Sequence, residues 1–464
     1  MIFSDMKKFV DREEEIKVIK ERLKSKNFEL IIIFGRRRVG KTRLVLECVK
    51  GSDYIYYLAT ERNNISKFKS QIEKSIPVIK HAKEDWEAIF NFLKDKTIII
   101  DEFPNILRED RTALAEFQRI VDTSLIDTKT KLILLGSSIS MMKSKILSYK
   151  SPLYGRSTSI LELKPLKFNQ IGKFFRNANI EELIKIYGFA GGVPFYLQKI
   201  NKLPFFSWLE EEIKKVDSFL RYETDILLRM EFEDYYTYRE ILEAIASGKT
   251  KLNEIREHVK VKGEITKYLK NLIRVGFVKR EVPITKKMKS KKGRYYVKDN
   301  FLKFWFRFIY PNISSIEEGI FDVNSIKESY NQYLGFIFEE ICKEFLVEMI
   351  RKKKIPYFNK IGKEWGSIRE KKQAFEIDIV ALNEKTKEIL FAECKWQSKV
   401  NALKIARELA EKSQYVQWHN RERKESFAIF AKSFSKRIEE FEGRKVYCFD
   451  LRDLKKTAKK KFKI

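Results

Sequence analysis

Apolar residues change their spacing in a regular way along the first 140 positions. Short apolar runs at residues 30–34, 54–58, 97–100 and 131–135 predict buried strands. Between them the period becomes helical: Ile16, Ile19 and Leu23 before the first run, then Leu44, Val45, Cys48 and Val49 after it. Helices are also predicted over 63–76, 84–93 and 111–121, and Asp11 is the expected N-cap of the first helix. Strands alternating with helices predict an α/β fold with a mostly parallel sheet and ligands at the strand carboxyl ends.

The pattern then changes twice. Residues 163 to about 224 read as helical, with apolar clusters at Ile171, Phe174, Phe175 and at Leu183, Ile184, Ile186, Tyr187. Helices over 238–246, from 252, and over 264–273 precede two extended runs, 276–282 and 294–297, around a basic tip. That order outlines a winged helix-turn-helix. The aromatic stretch 301–310 is expected to be core, although its rings also suit base stacking, and 311–315 makes a break. A helix over 333–350 centres its buried face on Phe338, Ile341, Phe345 and Met349. Glu339 falls on its apolar side, costly without a partner, and Glu340 falls on the polar side. Residues 375–382 and 388–396 alternate like two strands joined by a polar turn. The domains expected are 1–162 (parallel-sheet α/β core), 163–230 (helical lid), 231–312 (winged helix), 313–332 (linker) and 333–464 (C-terminal α/β domain with a basic tail).

Chemistry enters where the first strand ends. Gly35-Arg36-Arg37-Arg38-Val39-Gly40-Lys41-Thr42, between a strand and a helix, is a complete phosphate-binding P-loop. The glycines let backbone N–H groups face the phosphates, Lys41 reaches the β- and γ-phosphates, and Thr42 offers its hydroxyl to Mg²⁺. ATP and Mg²⁺ are therefore the expected cofactors. Asp101 and Glu102 close the third strand, where Asp101 suits the Mg²⁺ and Glu102 suits polarisation of the attacking water. Ser137, closing the fourth strand, is a candidate sensor of the γ-phosphate or simply a strand terminator. Arg156 follows on a glycine-containing loop and suits transition-state charge, in cis or from a neighbouring subunit.

A second constellation lies near the C-terminus. Residues two apart on a strand share a face, so Glu393 and Lys395 point the same way and Cys394 the other. Hairpin pairing brings Asp378 toward Glu393. Two carboxylates suit a hard cation such as Mg²⁺ or Mn²⁺, and Lys395 suits orientation of its water.

Composition narrows the partners. The 464 residues carry 95 Lys+Arg against 65 Asp+Glu, a formal +30, which favours nucleic acid. Heat adaptation raises lysine too, but raises glutamate with it. The tip residues Lys286, Lys287, Lys289, Lys291, Lys292 and Arg294 suit phosphate contact; the basic tail 455–463 suits it too, and reads equally as a frayed, solvated end. Cys48, Cys342, Cys394 and Cys448 form no CxxC pair, and the three histidines are scattered, against zinc or a disulfide framework. No apolar run has membrane-span length, and the charged N-terminus lacks a signal peptide's core, so a cytoplasmic, non-membrane protein is expected.

The stretches FVDREEEI, GRRRVGKTRL, IIIDEF, LLGSS, PLYGR and GGVP together resemble the archaeal ATPase family of AAA+/STAND P-loop ATPases. The resemblance implies adenine-side roles for Val10 and Arg12, an arginine-finger role for Arg156, and a nucleotide-contacting lid motif at Gly191-Gly192-Val193-Pro194. Gly335, Glu339, Glu376-Ile377-Asp378 and Glu393-Cys394-Lys395-Trp396 resemble the PD-(D/E)xK nuclease superfamily, in the form that accompanies archaeal ATPases. Glu376 stands where that superfamily's name has proline, and Gln414, on a helix expected over 413–418, is the candidate polar residue of the following helix. The implied function is an ATPase that binds duplex or branched DNA and couples nucleotide state to a metal-dependent nuclease-like domain, with a homo-oligomer allowed by Arg156. The alternatives are a STAND-type nucleotide switch and an ATP-tuned DNA-binding regulator, each with a non-cleaving nuclease-like module.

Overall fold

The computed structural model describes residues 9–149, 151–259, 264–368 and 372–459; the basic-tail positions 460–463 and the first eight residues lie outside that set. Contacts divide the chain into two compact units: Met1–Pro165 with Val193–Gln198 and Leu227–Glu233, and Leu166–Gly192 with Lys199–Ile226 and Asp234–Ile464.

The first unit is built on five parallel strands: β1 (Glu29–Phe34), β2 (Ile55–Leu58), β3 (Thr97–Asp101), β4 (Lys131–Gly136) and β5 (Ser159–Glu162). Their order is β2-β3-β4-β1-β5. Both faces of β1, β3 and β4 are covered, which is why these strands read as unbroken apolar runs, whereas β2, expected to be buried, buries Tyr57 and leaves Leu58 exposed. Leu30, Ile32, Ile98, Ile100, Leu132 and Leu134 pack on Phe68, Trp86, Phe90 and Phe117. Ile31, Ile33, Ile99, Ile133 and Leu135 pack on Ile19, Leu44 and Val45. Because β4 lies between β1 and β3, the ends of all three strands meet at one edge. β5 and the helix Pro104–Glu109 were not anticipated: β5 is short and half-exposed, without an apolar run. The helix Asn64–Glu73 ends earlier than expected, ahead of Pro77, whose ring keeps Ile76 out of helical geometry (φ −133°). Asp11 is not an N-cap; that position is Arg12, in left-handed geometry (φ 78°) with no side-chain cap.

In the second unit the helix Ile180–Ala190 packs on the helices Asn300–Phe304 and Lys327–Arg351. Tyr330 and Tyr333 donate hydroxyls to the Lys185 and Gly188 carbonyls, at 2.6 and 2.8 Å. Gly188 is small because a Cβ there would meet Leu334 and the Tyr330 hydroxyl at 2.9 Å. Phe301, Phe304, Trp305, Phe306 and Phe308 are buried, so the aromatic stretch is core and its rings are closed to bases.

Three helices, Tyr235–Ala246, Leu252–His258 and Ile265–Val275, precede an antiparallel pair, β6 (Val278–Glu281) and β7 (Arg294–Val297). The loop between these strands leans on a six-stranded sheet. Ile284 N–H donates to the Lys363 carbonyl at 2.8 Å, and Thr285 bonds Glu364 through both N–H and hydroxyl. That sheet contains β8 (Lys360–Ile368), β9 (Gln373–Asn383), β10 (Glu388–Lys395), β12 (Lys424–Ala431), β14 (Glu440–Phe441) and β15 (Arg444–Phe449), in the order β14-β15-β12-β10-β9-β8. Short β11 (Val400–Asn401) and β13 (Phe434–Lys436) pair separately. β8, β9 and β10 are antiparallel neighbours, whereas β10, β12 and β15 run parallel. The crossover helix Ala402–Ser413 buries Ile405, Ala406 and Leu409 on one face of this sheet.

Candidate nucleotide and carboxylate sites

The P-loop starts where β1 ends, and its first glycine is required by contact. A Cβ on Gly35 would lie 2.3 Å from the Leu163 carbonyl oxygen. Arg38 (φ 74°) and Gly40 (φ 90°) are left-handed, which turns the loop into the helix Lys41–Cys48. Lys41 is buried, and its Nζ donates to the carbonyls of Gly35 (2.9 Å) and Arg36 (3.2 Å). Burial pulls its pKa down to about 8, against the carboxylates of Glu102, Asp101 and Glu231. An incoming phosphate would restore full charge to this ammonium.

Thr42 Oγ1 donates to Asp101 Oδ2 at 2.5 Å, and the Tyr56 hydroxyl donates to the same oxygen at 3.0 Å. These hard oxygens are the groups here that could hold a divalent cation. Glu102 is left-handed (φ 53°), a strained state for a side-chain-bearing residue. Ser137 reaches it from just past the end of β4: its hydroxyl donates to Oε1 (2.5 Å) and its N–H to Oε2 (3.3 Å). Both Glu102 oxygens are thus engaged by a residue that the sequence read as equally a strand terminator.

The three P-loop arginines face other segments. Arg36 donates to the Tyr196 hydroxyl at 3.1 Å. Arg38 stacks 3.6 Å above the Phe195 ring centroid, and Arg37 donates to Met230 Sδ at 2.8 Å. They therefore grip Val193–Gln198, which carries Val193 and Pro194 of the GGVP motif, and Leu227–Glu233. The motif's second glycine is also dictated by contact: a Cβ on Gly192 would fall 1.7 Å from the Leu166 carbonyl oxygen. Arg12 is buried; it donates to the Lys164 carbonyl at 2.6 Å and to Glu15 at 3.0 Å, with Val10 two residues before it. Val39 contributes its carbonyl to Arg12 and its side chain to the core.

Arg156 makes a two-armed pair with Asp122, at 2.9 and 2.8 Å. It lies just before β5, and Thr158 N–H bonds the Leu30 carbonyl near the start of β1. β5 runs parallel to β1, so Arg156 sits at the sheet edge opposite the P-loop. A finger acting in cis is removed by that geometry.

In the second unit Ala392 pairs with Ile379 across β9–β10, which sets Glu393 beside Asp378. Cys394 N–H donates to Asp378 Oδ2 at 2.8 Å. Burial, then Glu339 and Glu393, push Asp378 up to about 7. Glu393 is buried, and its carboxylate accepts from Lys395 Nζ at 2.8 Å and from Lys412 Nζ at 3.0 Å on each oxygen. Glu339, from the long helix, is bonded by Lys363 of β8, which also lies 3.6 Å from Glu376. The partner that Glu339 needs on its apolar face is therefore Lys363. Among the described residues, no group of three or more His, Cys, Asp or Glu is arranged to hold a metal ion. Asp378 and Glu393 are the two carboxylates here that could hold one.

Lys412 and Lys363 escaped the sequence reading because each reaches the hairpin from another element. The helix expected over 413–418 is displaced: it spans Ala402–Ser413, Gln414 is exposed beyond its end, and Lys412 occupies the inward position. Glu340 is likewise not a solvated polar-face residue, because Lys279 and Lys303 both bond it at 3.0–3.1 Å. At the basic tip the five lysines are exposed, whereas Arg294 bonds Glu376 at 2.8 Å and stacks on Trp365.

Residues 9–200 match an ATPase domain family described as predominantly from Archaea, and residues 305–406 match a family of archaeal and bacterial proteins of unknown function. The chain is 54% identical over 449 residues to the uncharacterized protein MJECL04 of Methanocaldococcus jannaschii, covering 96% of this chain and 99% of that one. Among solved structures it is similar to a Walker-type ATPase of Pyrococcus abyssi (22% identity, 65% of this chain and 96% of that one, TM-score 0.49). It is also similar to the ORC2 protein of Aeropyrum pernix in its ADPNP–ADP complexes (14% identity, 71% and 96%, TM-score 0.44). No helix among the described residues is long and apolar enough to cross a membrane. The chain belongs to the family of the Methanocaldococcus jannaschii protein and carries, over residues 9–200, an ATP-binding P-loop ATPase domain of a family found predominantly in Archaea.

Proposed function

We propose that this ATPase binds DNA and couples its nucleotide state to a metal-dependent, nuclease-like C-terminal domain. The observation that carries the reading is the convergence of Asp378, Glu393 and Lys395 at one end of the β9–β10 hairpin, with Glu339 beside them. Asp378 and Glu393 would hold a divalent cation, which when bound polarises a phosphodiester and acidifies its water. Lys395 would then leave Glu393 to orient that water. At the P-loop, Lys41 would bind the β- and γ-phosphates and Thr42 with Asp101 would hold Mg²⁺, while Glu102, released by Ser137, would polarise the attacking water. Val10, Arg12 and Pro194 would line the adenine side and the lid. Arg156 can serve only a neighbouring copy, so its finger role goes with a homo-oligomer.

The three helices 235–275 with β6–β7 support a winged-helix reading for 231–312, after a lid over 163–230. The five exposed tip lysines and the net +30 support duplex or branched DNA as partner. A cytoplasmic setting is part of the same proposal. The test is cleavage of DNA by the full chain with Mg²⁺ or Mn²⁺: the wild type cleaves and Asp378→Ala does not. Cleavage by Asp378→Ala at the wild-type rate would move the activity elsewhere.

A second reading keeps the ATPase and makes the C-terminal domain a non-cleaving module, as in a STAND-type switch or an ATP-tuned DNA-binding regulator. It is favoured by the ammonium groups of Lys395 and Lys412, which occupy Glu393 where a cation would stand, and of Lys363, which neutralises Glu339 beside it.

A further inference from the structure

Glu231 ends the helix Glu223–Glu231 and lies in Leu227–Glu233, a segment that packs with the ATPase unit although the chain on both sides belongs to the other unit. Its carboxylate accepts from Ile139 N–H (3.0 Å), Ser140 N–H (3.1 Å) and the Ser138 hydroxyl (3.3 Å). These three donors form the turn that follows β4, directly after Ser137. Ser137 in turn engages both oxygens of Glu102. Glu231 is also near enough to Lys41 to act on its charge.

The segment has further ties to the same unit. Met230 accepts from Arg37 through sulfur (2.8 Å) and from Arg108 through its carbonyl (3.5 Å). Leu227, Leu228 and Phe232 are buried. Without Glu231, two backbone N–H groups at a buried strand end would lose a charge-assisted acceptor, and the Ser137–Glu102 geometry would lose its support.

We infer that Glu231 is a positioning residue for ATP hydrolysis: it fixes the Ser138–Ser140 turn, and through Ser137 it sets Glu102 for the attacking water. Hydrolysis thereby depends on the seating of Leu227–Glu233, the segment that leads directly into the helix Tyr235–Ala246. Nucleotide turnover and the docking of this segment become one linked equilibrium.

The assignment rests on the ATPase reading of Lys41 and Glu102. The test compares ATP turnover and binding of a fluorescent ATP analogue for the full-length wild type, Glu231→Gln, Glu231→Ala and Glu231→Asp. In Glu231→Gln and Glu231→Ala, kcat should fall about 10- to 100-fold, the scale of a lost alignment, while the nucleotide Kd stays within about twofold. Glu231→Asp, which keeps the charge, should recover part of the rate. Wild-type kcat in Glu231→Gln would overturn the role. So would a parallel loss of kcat and affinity in isosteric Glu231→Gln that Glu231→Asp does not relieve, because that pattern is general structural damage. Absence of ATP turnover in the wild type would instead remove the underlying ATPase reading.

Discussion

Lys412 donates to both carboxylate oxygens of Glu393, each at 3.0 Å. With Lys395 on the same carboxylate, two ammonium groups compete with any cation for one of the two carboxylates that could hold it. Lys412→Met should therefore tighten Mn²⁺ binding about 10-fold, since it removes a unit charge a few ångströms from the ion in a partly shielded site. Calorimetric titration with Mn²⁺ measures this, with Asp378→Asn as the variant that should lose binding. Weaker binding in Lys412→Met would make Lys412 a support of the site and not a competitor.

Glu340 sits between Lys279 and Lys303 and titrates at about 2: burial alone would raise it, and the two ammonium groups outweigh burial. A carboxyl group depressed in the folded state stabilises above its unfolded pKa, near 4.5, and that contribution is lost as pH falls toward 2. Glu340→Gln should cost about 2–4 kcal/mol at pH 7, because it leaves Lys303 without its carboxylate and Lys279 with Glu281 alone. It should also flatten the acid limb between about pH 4.5 and 2. Denaturant unfolding at pH 7 and pH 3 reads both effects; an equal cost at the two pH values would contradict the pairing.

Gly192→Ala places a methyl against the Leu166 carbonyl, whose own N–H bonds the Gly192 carbonyl at 2.8 Å. Backbone on both sides leaves nothing flexible to yield. The variant should lose about 1–3 kcal/mol or more and lower the thermal midpoint. Gly155→Ala, where a Cβ meets nothing within 4 Å, should leave that midpoint nearly unchanged.

The tip lysines predict a salt signature. Replacing Lys286, Lys287 and Lys289 with alanine should reduce the slope of log affinity against log salt for duplex DNA by about 0.9 per lost phosphate contact. Fluorescence anisotropy over a salt series measures the slope. An unchanged slope would take the tip out of the interface.

What the sequence made legible has a physical boundary. The P-loop reads directly because phosphate binding ties glycine, lysine and threonine to fixed spacing within one turn. Asp378, Glu393 and Lys395 read because a strand repeats every two residues and a hairpin pairs its neighbours. Lys412, Lys363 and Glu231 do not read, since each meets its target across elements that only tertiary packing brings together. The arginines at 36–38 show the same boundary. Their spacing is local, yet their partners Tyr196, Met230 and Phe195 lie about 160 to 190 residues downstream.

DNA cleavage with and without ATP reads out the proposed coupling between nucleotide and the C-terminal carboxylates. Linear, branched and single-stranded DNA are incubated with Mn²⁺ and the wild type, Lys41→Ala or Asp378→Ala. ATP should change cleavage by the wild type and leave cleavage by Lys41→Ala unchanged, and Asp378→Ala should not cleave. Wild-type cleavage indifferent to ATP, or none on any substrate, would contradict that coupling.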